Sequence, residues 1–291
     1  MQVKDLLSDL TERFERAGLD EARADARLLV SFGIGKQPVF LRMHPDFDVE
    51  PDDLEKIRAF AERRLKREPV SKIIQTRGFW RLDFKVTTDV LDPRPDSETL
   101  IEEALKIFTD KLAPLKILDL GTGSGCLAQA LLCEYVNATA TGLDSSEKAL
   151  AVASENALTN GMKGRFSTVF ADWNGDGWEN GLGTFDLIIA NPPYVAEKER
   201  ATLAPEVVDY DPAQALFAGD DGLDAYRKIA PALPRLLKQG GVFITEFGKG
   251  QEEDVRRIVC SNGLIFKSFG VDLGGIVRCL SAFLPESQKR Y

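Results

Sequence analysis

The stretch Lys116-Ile117-Leu118-Asp119-Leu120-Gly121-Thr122-Gly123-Ser124-Gly125-Cys126 decides the fold. A short apolar run ends at a cluster of three glycines, and a helical pattern starts directly after it. A second run, Phe185-Asp186-Leu187-Ile188-Ile189-Ala190, ends at Asn191-Pro192-Pro193-Tyr194. Ligands of open α/β sheets bind outside the carboxyl ends of the strands. If both runs are parallel strands of one sheet, the two loops face each other.

Working outward, a regular α/β pattern begins after Pro114. Strands are expected at 116–120, 138–143, 165–170, 184–190, 241–246, 264–270 and 276–284. Helices are expected at 124–135, 146–160, 223–238 and 249–262. This alternation implies a mostly parallel sheet with helices on both faces. The last two strands are joined only by Val271 to Gly275, too few residues for a parallel crossover, so that pair should be antiparallel.

Upstream, Val3, Leu6, Leu7, Leu10, Phe14 and Ala17 share one helical face, and Gly18 ends that helix. Asp20 is a candidate cap for a second helix burying Ala22, Ala26, Leu29 and Val30. Residues 34–44 read as a short helix or turn. Pro51-Asp52-Asp53 opens a further helix that closes before Pro69. Its basic residues, Lys56, Arg58, Arg63, Arg64, Lys66 and Arg67, read first as a solvated face and second as a docking patch for an acidic or RNA-associated partner. Residues 78–91 alternate and are rich in aromatic and β-branched types, as in a hairpin. Pro93-Arg94-Pro95 holds an extended linker, and Pro95-Asp96-Ser97-Glu98 starts the next helix. Three parts result: a helical domain at 1–75, a hairpin and linker at 76–95, and an α/β domain at 96–291.

The chain has 291 residues and a formal net charge of −9. Residues 1–90 hold 17 basic and 17 acidic side chains, so the excess acid lies in the α/β part, with 20 basic and 29 acidic residues. That balance disfavours direct nucleic-acid binding, which draws much of its affinity from Lys and Arg on phosphates. No apolar run approaches the ~20 residues of a membrane helix, and the N-terminus has no targeting pattern. Cys126, Cys133, Cys260 and Cys279 lack metal-ligand spacing, so no metal site or disulfide framework is expected and a reducing cytoplasm is inferred. The single histidine, His44, rules against a His-based triad in the main domain.

In the first loop, glycines permit a sharp turn and close ligand approach. Such a loop alone is weak evidence, because dinucleotide enzymes have similar ones. Two companions sharpen it. Asp144 ends the next strand, where a carboxylate can accept both ribose hydroxyls. Asp172-Trp173 follows the third, where an acid can take an adenine amino group and an aromatic can cover the ring. The spacing departs from the strict dinucleotide fingerprint, since Ser124-Gly125 follows Gly123 directly. The set resembles the class I S-adenosylmethionine-dependent methyltransferases. The resemblance implies cofactor binding by Gly121, Thr122, Gly123, Ser124, Gly125, Asp144, Asp172, Trp173 and Asn191. It also implies a Rossmann-like, mostly parallel seven-stranded sheet with an antiparallel last strand. Asp119 is either a loop organiser or a contact to the ligand's ammonium group. The bland alternative is a strand–glycine–helix turn without a ligand.

In the second loop, Pro192 and Pro193 fix two successive φ angles and remove two N–H donors. The Asn191 side-chain oxygen and the Pro192 carbonyl can then act as rigid acceptors for a substrate –NH2, with Tyr194 against the planar group. An amide nitrogen is a poor nucleophile, so positioning is the main lever. Asn191, Pro192 and Tyr194 are the candidate catalytic residues, and Asn191, Pro192, Pro193 and Tyr194 the candidate substrate contacts. The tetrapeptide is similar to that of methyltransferases acting on adenine, guanine or glutamine –NH2 groups.

Along nearly its whole length the chain resembles the HemK-type protein glutamine methyltransferases. The helical domain, Glu68-Pro69-Val70, the hairpin from Phe79 to Phe84, Pro93-Arg94-Pro95, Asp211-Pro212, Ala215-Leu216, Gly219-Asp220-Asp221-Gly222-Leu223-Asp224 and Tyr226-Arg227 carry the likeness. It departs from the family pattern at Asp96-Ser97, usually Glu-Thr, and at Asp211, usually Glu; both acids are shortened with charge kept. The resemblance implies N5-methylation of the glutamine in the Gly-Gly-Gln loop of peptide chain release factors. The implied enzyme is cytoplasmic and monomeric and does not bind a membrane. Alternatives are a ribosomal-protein glutamine methyltransferase, a nucleic-acid adenine N6 methyltransferase, or a cofactor-binding protein that has lost catalysis.

Overall fold

The computed structural model describes residues 1–272 and 274–286. It divides into two compact units. One comprises Met1–Thr76 together with Ala204–Tyr210, and the other Arg77–Leu203 and Asp211 onward.

The helical unit contains Val3–Arg16, Ala22–Gly33, Pro38–Met43, Pro51–Leu65 and the short Val70–Ile74, which sequence periodicity did not reveal. Val3, Leu6, Leu10 and Phe14 are buried at 1% exposure or less, the spacing of one helical face. Leu7 is half-buried and Ala17 exposed. Asp20 does not cap the second helix; Glu21 occupies that position without a side-chain bond. Gly33 allows two helices to approach closely, because a Cβ there would lie 2.1 Å from Ile57 Cγ1.

The basic run in Pro51–Leu65 is not simply a solvated face. Arg64 is buried and donates from Nε to Asp25 Oδ2 at 2.7 Å. Arg64 and Arg67 both reach Glu206 Oε1, at 3.3 and 3.0 Å. The Tyr210 hydroxyl donates to the Lys66 carbonyl at 2.7 Å. These bonds tie the segment Ala204–Tyr210, which follows the Asn-Pro-Pro-Tyr loop in the chain, into the helical unit.

The second unit begins with a hairpin, β1 (Thr76–Phe79) and β2 (Leu82–Lys85), followed by helix Glu98–Ile107. Its main sheet comprises β3 (Lys116–Leu120), β4 (Thr139–Asp144), β5 (Phe166–Phe170), β6 (Phe185–Ala190), β7 (Leu237–Glu246), β8 (Ile265–Val271) and β9 (Val277–Phe283). The strand order is β5-β4-β3-β6-β7-β9-β8. β9 runs antiparallel to both neighbours, and the remaining pairings are parallel. Leu273, inside the expected tight connection, lies outside the described residues, as do 287–291 at the end of the expected α/β domain.

Apolar side chains cover both faces of the sheet. Ile117, Leu187, Ile189 and Ile244 pack on one side, with Leu118, Ile188 and Phe243 in a second cluster. One expected helix is wrong in form. Instead of a single helix at 223–238, the chain forms Asp224–Ile229, a 3-10 turn at Ala230–Ala232 and one turn at Leu233–Leu236. Pro231 and Pro234 lack the N–H groups a continuous helix needs. β7 accordingly starts at Leu237, earlier than expected, with a register irregularity opposite Phe185 and Leu187.

Candidate active site

β3 and β6 are adjacent and parallel, with Leu120 opposite Ala190. The next residues, Gly121 and Asn191, open onto the same cleft, which Gly123, Asp144, Trp173 and Pro193 also line. Of the candidate site residues, these six meet at one cavity. Ser145 and Ala149 also line it, and Asp89, Val90, Leu91, Pro212, Gln214 and Ala215 complete its wall. The last six come from the linker and the loop after the tetrapeptide, and no local pattern marked them as lining.

The glycine turn is held from below. Gly121, Gly123 and Gly125 all adopt positive φ. Asp119 is fully buried, and its Oδ2 accepts from the Thr122 hydroxyl at 2.7 Å and from Ala128 N at 3.3 Å. Its Oδ1 is buried without a hydrogen-bond partner among the described residues. Burial pushes the Asp119 carboxyl up to about 7. Asp119 is thus a loop organiser with one acceptor left over. Asp144 Oδ2 accepts from Gly123 N at 2.9 Å and Oδ1 from Ser146 N at 2.9 Å. Burial raises its pKa despite these bonds. A carboxylate has about four lone-pair sites, so both oxygens retain acceptor capacity. Asn156 joins the turn to the hairpin by donating to the Ser124 and Lys85 carbonyls at 2.9 and 3.1 Å.

Trp173 lies against the turn: a Cβ on Gly121 would sit 3.0 Å from its Cη2 atom. Asp172 does not line the cleft. Its Oδ1 accepts from the backbone and side chain of Asn174, both at 2.9 Å. Thr122 and Ser124 are buried within the turn.

In the tetrapeptide, Pro192 is buried while Asn191, Pro193 and Tyr194 are half-buried. Asn191 Nδ2 donates to Ser97 Oγ at 3.0 Å. The Tyr194 hydroxyl donates to Glu246 Oε1 at 3.1 Å. Ser97 Oγ donates to Glu246 Oε2. Ser97 and Glu246 therefore support the tetrapeptide, a role not read from the sequence. The available signal was positional: Glu246 ends β7, the strand next to β6.

The two shortened acids are engaged. Asp211 Oδ2 accepts from Arg94 Nη2 at 2.6 Å and its Oδ1 from Asp92 N at 3.2 Å. Asp96 pairs with Arg278 at 2.8 Å.

The residues present suit an adenosyl cofactor. A buried acceptor without a partner lies at the base of the turn, a raised carboxylate ends β4, and an indole borders the same cleft.

A family model described as methyltransferase small domain matches residues 97–218. A methyltransferase from Pyrococcus furiosus superposes with TM-score 0.52 at 20% identity, covering 77% of this chain and 97% of that one. The human Mettl16 catalytic domain, solved with an RNA hairpin, superposes with TM-score 0.57 at 15% identity, covering 72% and 77%. At such identities the two structures speak for the fold alone. The fold and site define a Rossmann-like methyltransferase.

A second family model, described as PrmC N-terminal domain, matches residues 5–74. A release factor glutamine methyltransferase of Rhodospirillum rubrum is 42% identical over 270 residues, covering 93% of this chain and 81% of its own. That of Cereibacter sphaeroides is 41% identical over 285 residues, covering 98% and 99%. The chain belongs to the family of release factor glutamine methyltransferases. Among the described residues no helix is long and apolar enough to cross a membrane.

Proposed function

We propose that this protein transfers a methyl group from S-adenosylmethionine to the side-chain amide nitrogen (N5) of the glutamine in the Gly-Gly-Gln loop of peptide chain release factors, in the cytoplasm. The observation that carries the reading is the pairing of Leu120 with Ala190, which brings the glycine turn and the Asn-Pro-Pro-Tyr loop to one cleft. The names of the full-length relatives support the substrate.

When bound, S-adenosylmethionine supplies an activated methyl group, so the protein's task is binding and aiming. In this reading the turn Gly121–Gly125 cradles the methionine end. Asp144 accepts the ribose hydroxyls, and Trp173 serves the adenine side. Asn191 Oδ1 and the Pro192 carbonyl accept the two protons of the substrate amide. Pro193 and Tyr194 complete the acceptor pocket. Holding a weak nucleophile in line in this way can supply several kcal/mol of barrier lowering. The part at 1–75 serves recognition of the release factor, and 96–291 carries the chemistry.

The test is mass spectrometry of a release factor incubated with this protein and S-adenosylmethionine. One added methyl on the loop glutamine is expected. No transfer to release factor, with label instead appearing on ribosomal protein or nucleic acid, would overturn the substrate assignment.

A further inference from the structure

Asn191 can serve a substrate –NH2 only if its own amide presents oxygen, not nitrogen, to the cleft. The side chain is pseudo-symmetric, so something must set its direction.

We propose that Ser97 and Glu246 are positioning residues that fix this direction through a one-way chain of hydrogen bonds, resting on the reading of Asn191 as the acceptor of the substrate amide. Ser97 has a single hydroxyl proton, and it goes to Glu246 Oε2. Its lone pairs can then only accept, and the donor within reach is Asn191 Nδ2 at 3.0 Å. The nitrogen of the Asn191 amide is thereby held on the Ser97 side, which leaves Oδ1 as the end available to a substrate. Tyr194 occupies the other carboxylate oxygen, donating to Oε1 at 3.1 Å. Both residues of the tetrapeptide that bear polar side chains are thus referred to one carboxylate. Glu246 and Ser97 are buried at 1% and 2% exposure, so water does not compete for these bonds.

The chain has this polarity only while Glu246 is ionised. A carboxylate accepts at both oxygens, whereas a carboxylic acid must donate from one. Protonated Glu246 donating to Ser97 would free the Ser97 proton to point at Asn191, which would then turn its oxygen inward. The groups facing Glu246 are Asp96 beside Ser97, Arg278 and Cys279 on β9, Tyr194, Tyr226, whose hydroxyl donates to the Glu246 carbonyl at 2.7 Å, and Cys126 after the glycine turn. Burial pushes Glu246 up to about 7, against the hydrogen bonds from Ser97 and Tyr194 and the charge of Arg278, while Asp96 adds to the rise. The active form is the deprotonated one, so turnover should fall as the pH drops below about 7.

The experiment measures kcat and KM for release factor methylation from pH 5.5 to 9 in the wild type, Ser97→Ala, Ser97→Thr, Glu246→Gln and Asn191→Ala, with S-adenosylmethionine affinity determined by calorimetry alongside. Ser97→Ala should lower kcat about tenfold, the scale of one lost hydrogen bond, while cofactor affinity stays within about twofold. Ser97→Thr, which keeps the hydroxyl, should restore wild-type turnover. Glu246→Gln, which cannot ionise, should lose the acid limb of the pH profile. The proposal is overturned if Ser97→Ala turns over like wild type, if Ser97→Thr falls as far as Ser97→Ala, or if the acid limb persists in Glu246→Gln. Wild-type turnover by Asn191→Ala would instead remove the acceptor role of Asn191 itself, a separate failure.

Discussion

Leu120 and Ala190 lie opposite each other on the parallel strands β3 and β6. One residue further along each strand, the chain leaves the sheet at the same carboxyl end, at Gly121 and at Asn191. The glycine turn and the Asn-Pro-Pro-Tyr loop are therefore neighbours because two β-strands share a register.

Asn191→Ala should lower methyl transfer by about 100-fold or more, the scale seen when one preorganised polar contact is removed. Affinity for S-adenosylmethionine should fall far less. Calorimetry and methylation assays run on one preparation separate the two, and equal losses would count against the acceptor role.

Gly121→Ala should weaken cofactor binding at least tenfold. The residue has φ of +73°, and an added Cβ would sit 3.0 Å from Trp173 Cη2. Both strain and displacement of the indole act at the cofactor cleft. Titration with S-adenosylhomocysteine checks this, and wild-type affinity would argue that the turn carries no ligand.

Gly33→Ala should destabilise the helical unit by about 1–3 kcal/mol, the usual range for overpacking. The new methyl would lie 2.1 Å from Ile57 Cγ1, and Ile57 is fully buried. Paired with Ile57→Ala, which removes Cγ1, it should cost less in urea denaturation than the sum of the two single losses. Additive losses would mean the two sites are not coupled.

Arg64→Ala should cost about 3–5 kcal/mol, because it leaves Asp25 buried without its guanidinium partner. It also removes one of the two arginines on Glu206. Limited proteolysis should then cut within Ala204–Tyr210 faster than in the wild type. An unchanged cleavage pattern would show that the remaining Arg67 and Tyr210 bonds suffice.

Stability should fall as pH rises from about 4 to 7. Burial raises the Asp119 carboxyl from 3.8 to about 7, so in that window the folded chain holds a proton that the unfolded chain has released. Asp119→Asn removes this contribution and should flatten the curve of unfolding free energy against pH. Superimposable slopes for the two proteins, measured by denaturant titration from pH 4.5 to 8, would contradict it.

Local chemistry explains how much of the fold could be read in advance. Short apolar runs ending at Gly121 or Asn191 identify strands because burial and turn geometry act over a few residues. Local pattern alone misled in two places. Pro231 and Pro234 lie in a stretch whose apolar periodicity suggested one helix, and the missing N–H groups broke it. Arg64 sits in a run of charges that looked solvated, yet Asp25, 39 residues away, accepts its guanidinium in a buried pair.

The amino-acid order by itself determined the strand–helix alternation, the antiparallel last strand and the positions of the two loops. Each of these rests on spacing or on the conformational limits of glycine and proline. Tertiary structure alone decided that Asn191 meets Ser97, 94 residues away, and that Ser97 meets Glu246, 149 residues away. It alone carried Glu206 to Arg64 across 142 positions. Such contacts depend on which strands become neighbours and where a loop crosses the fold, and no local pattern of side chains encodes either.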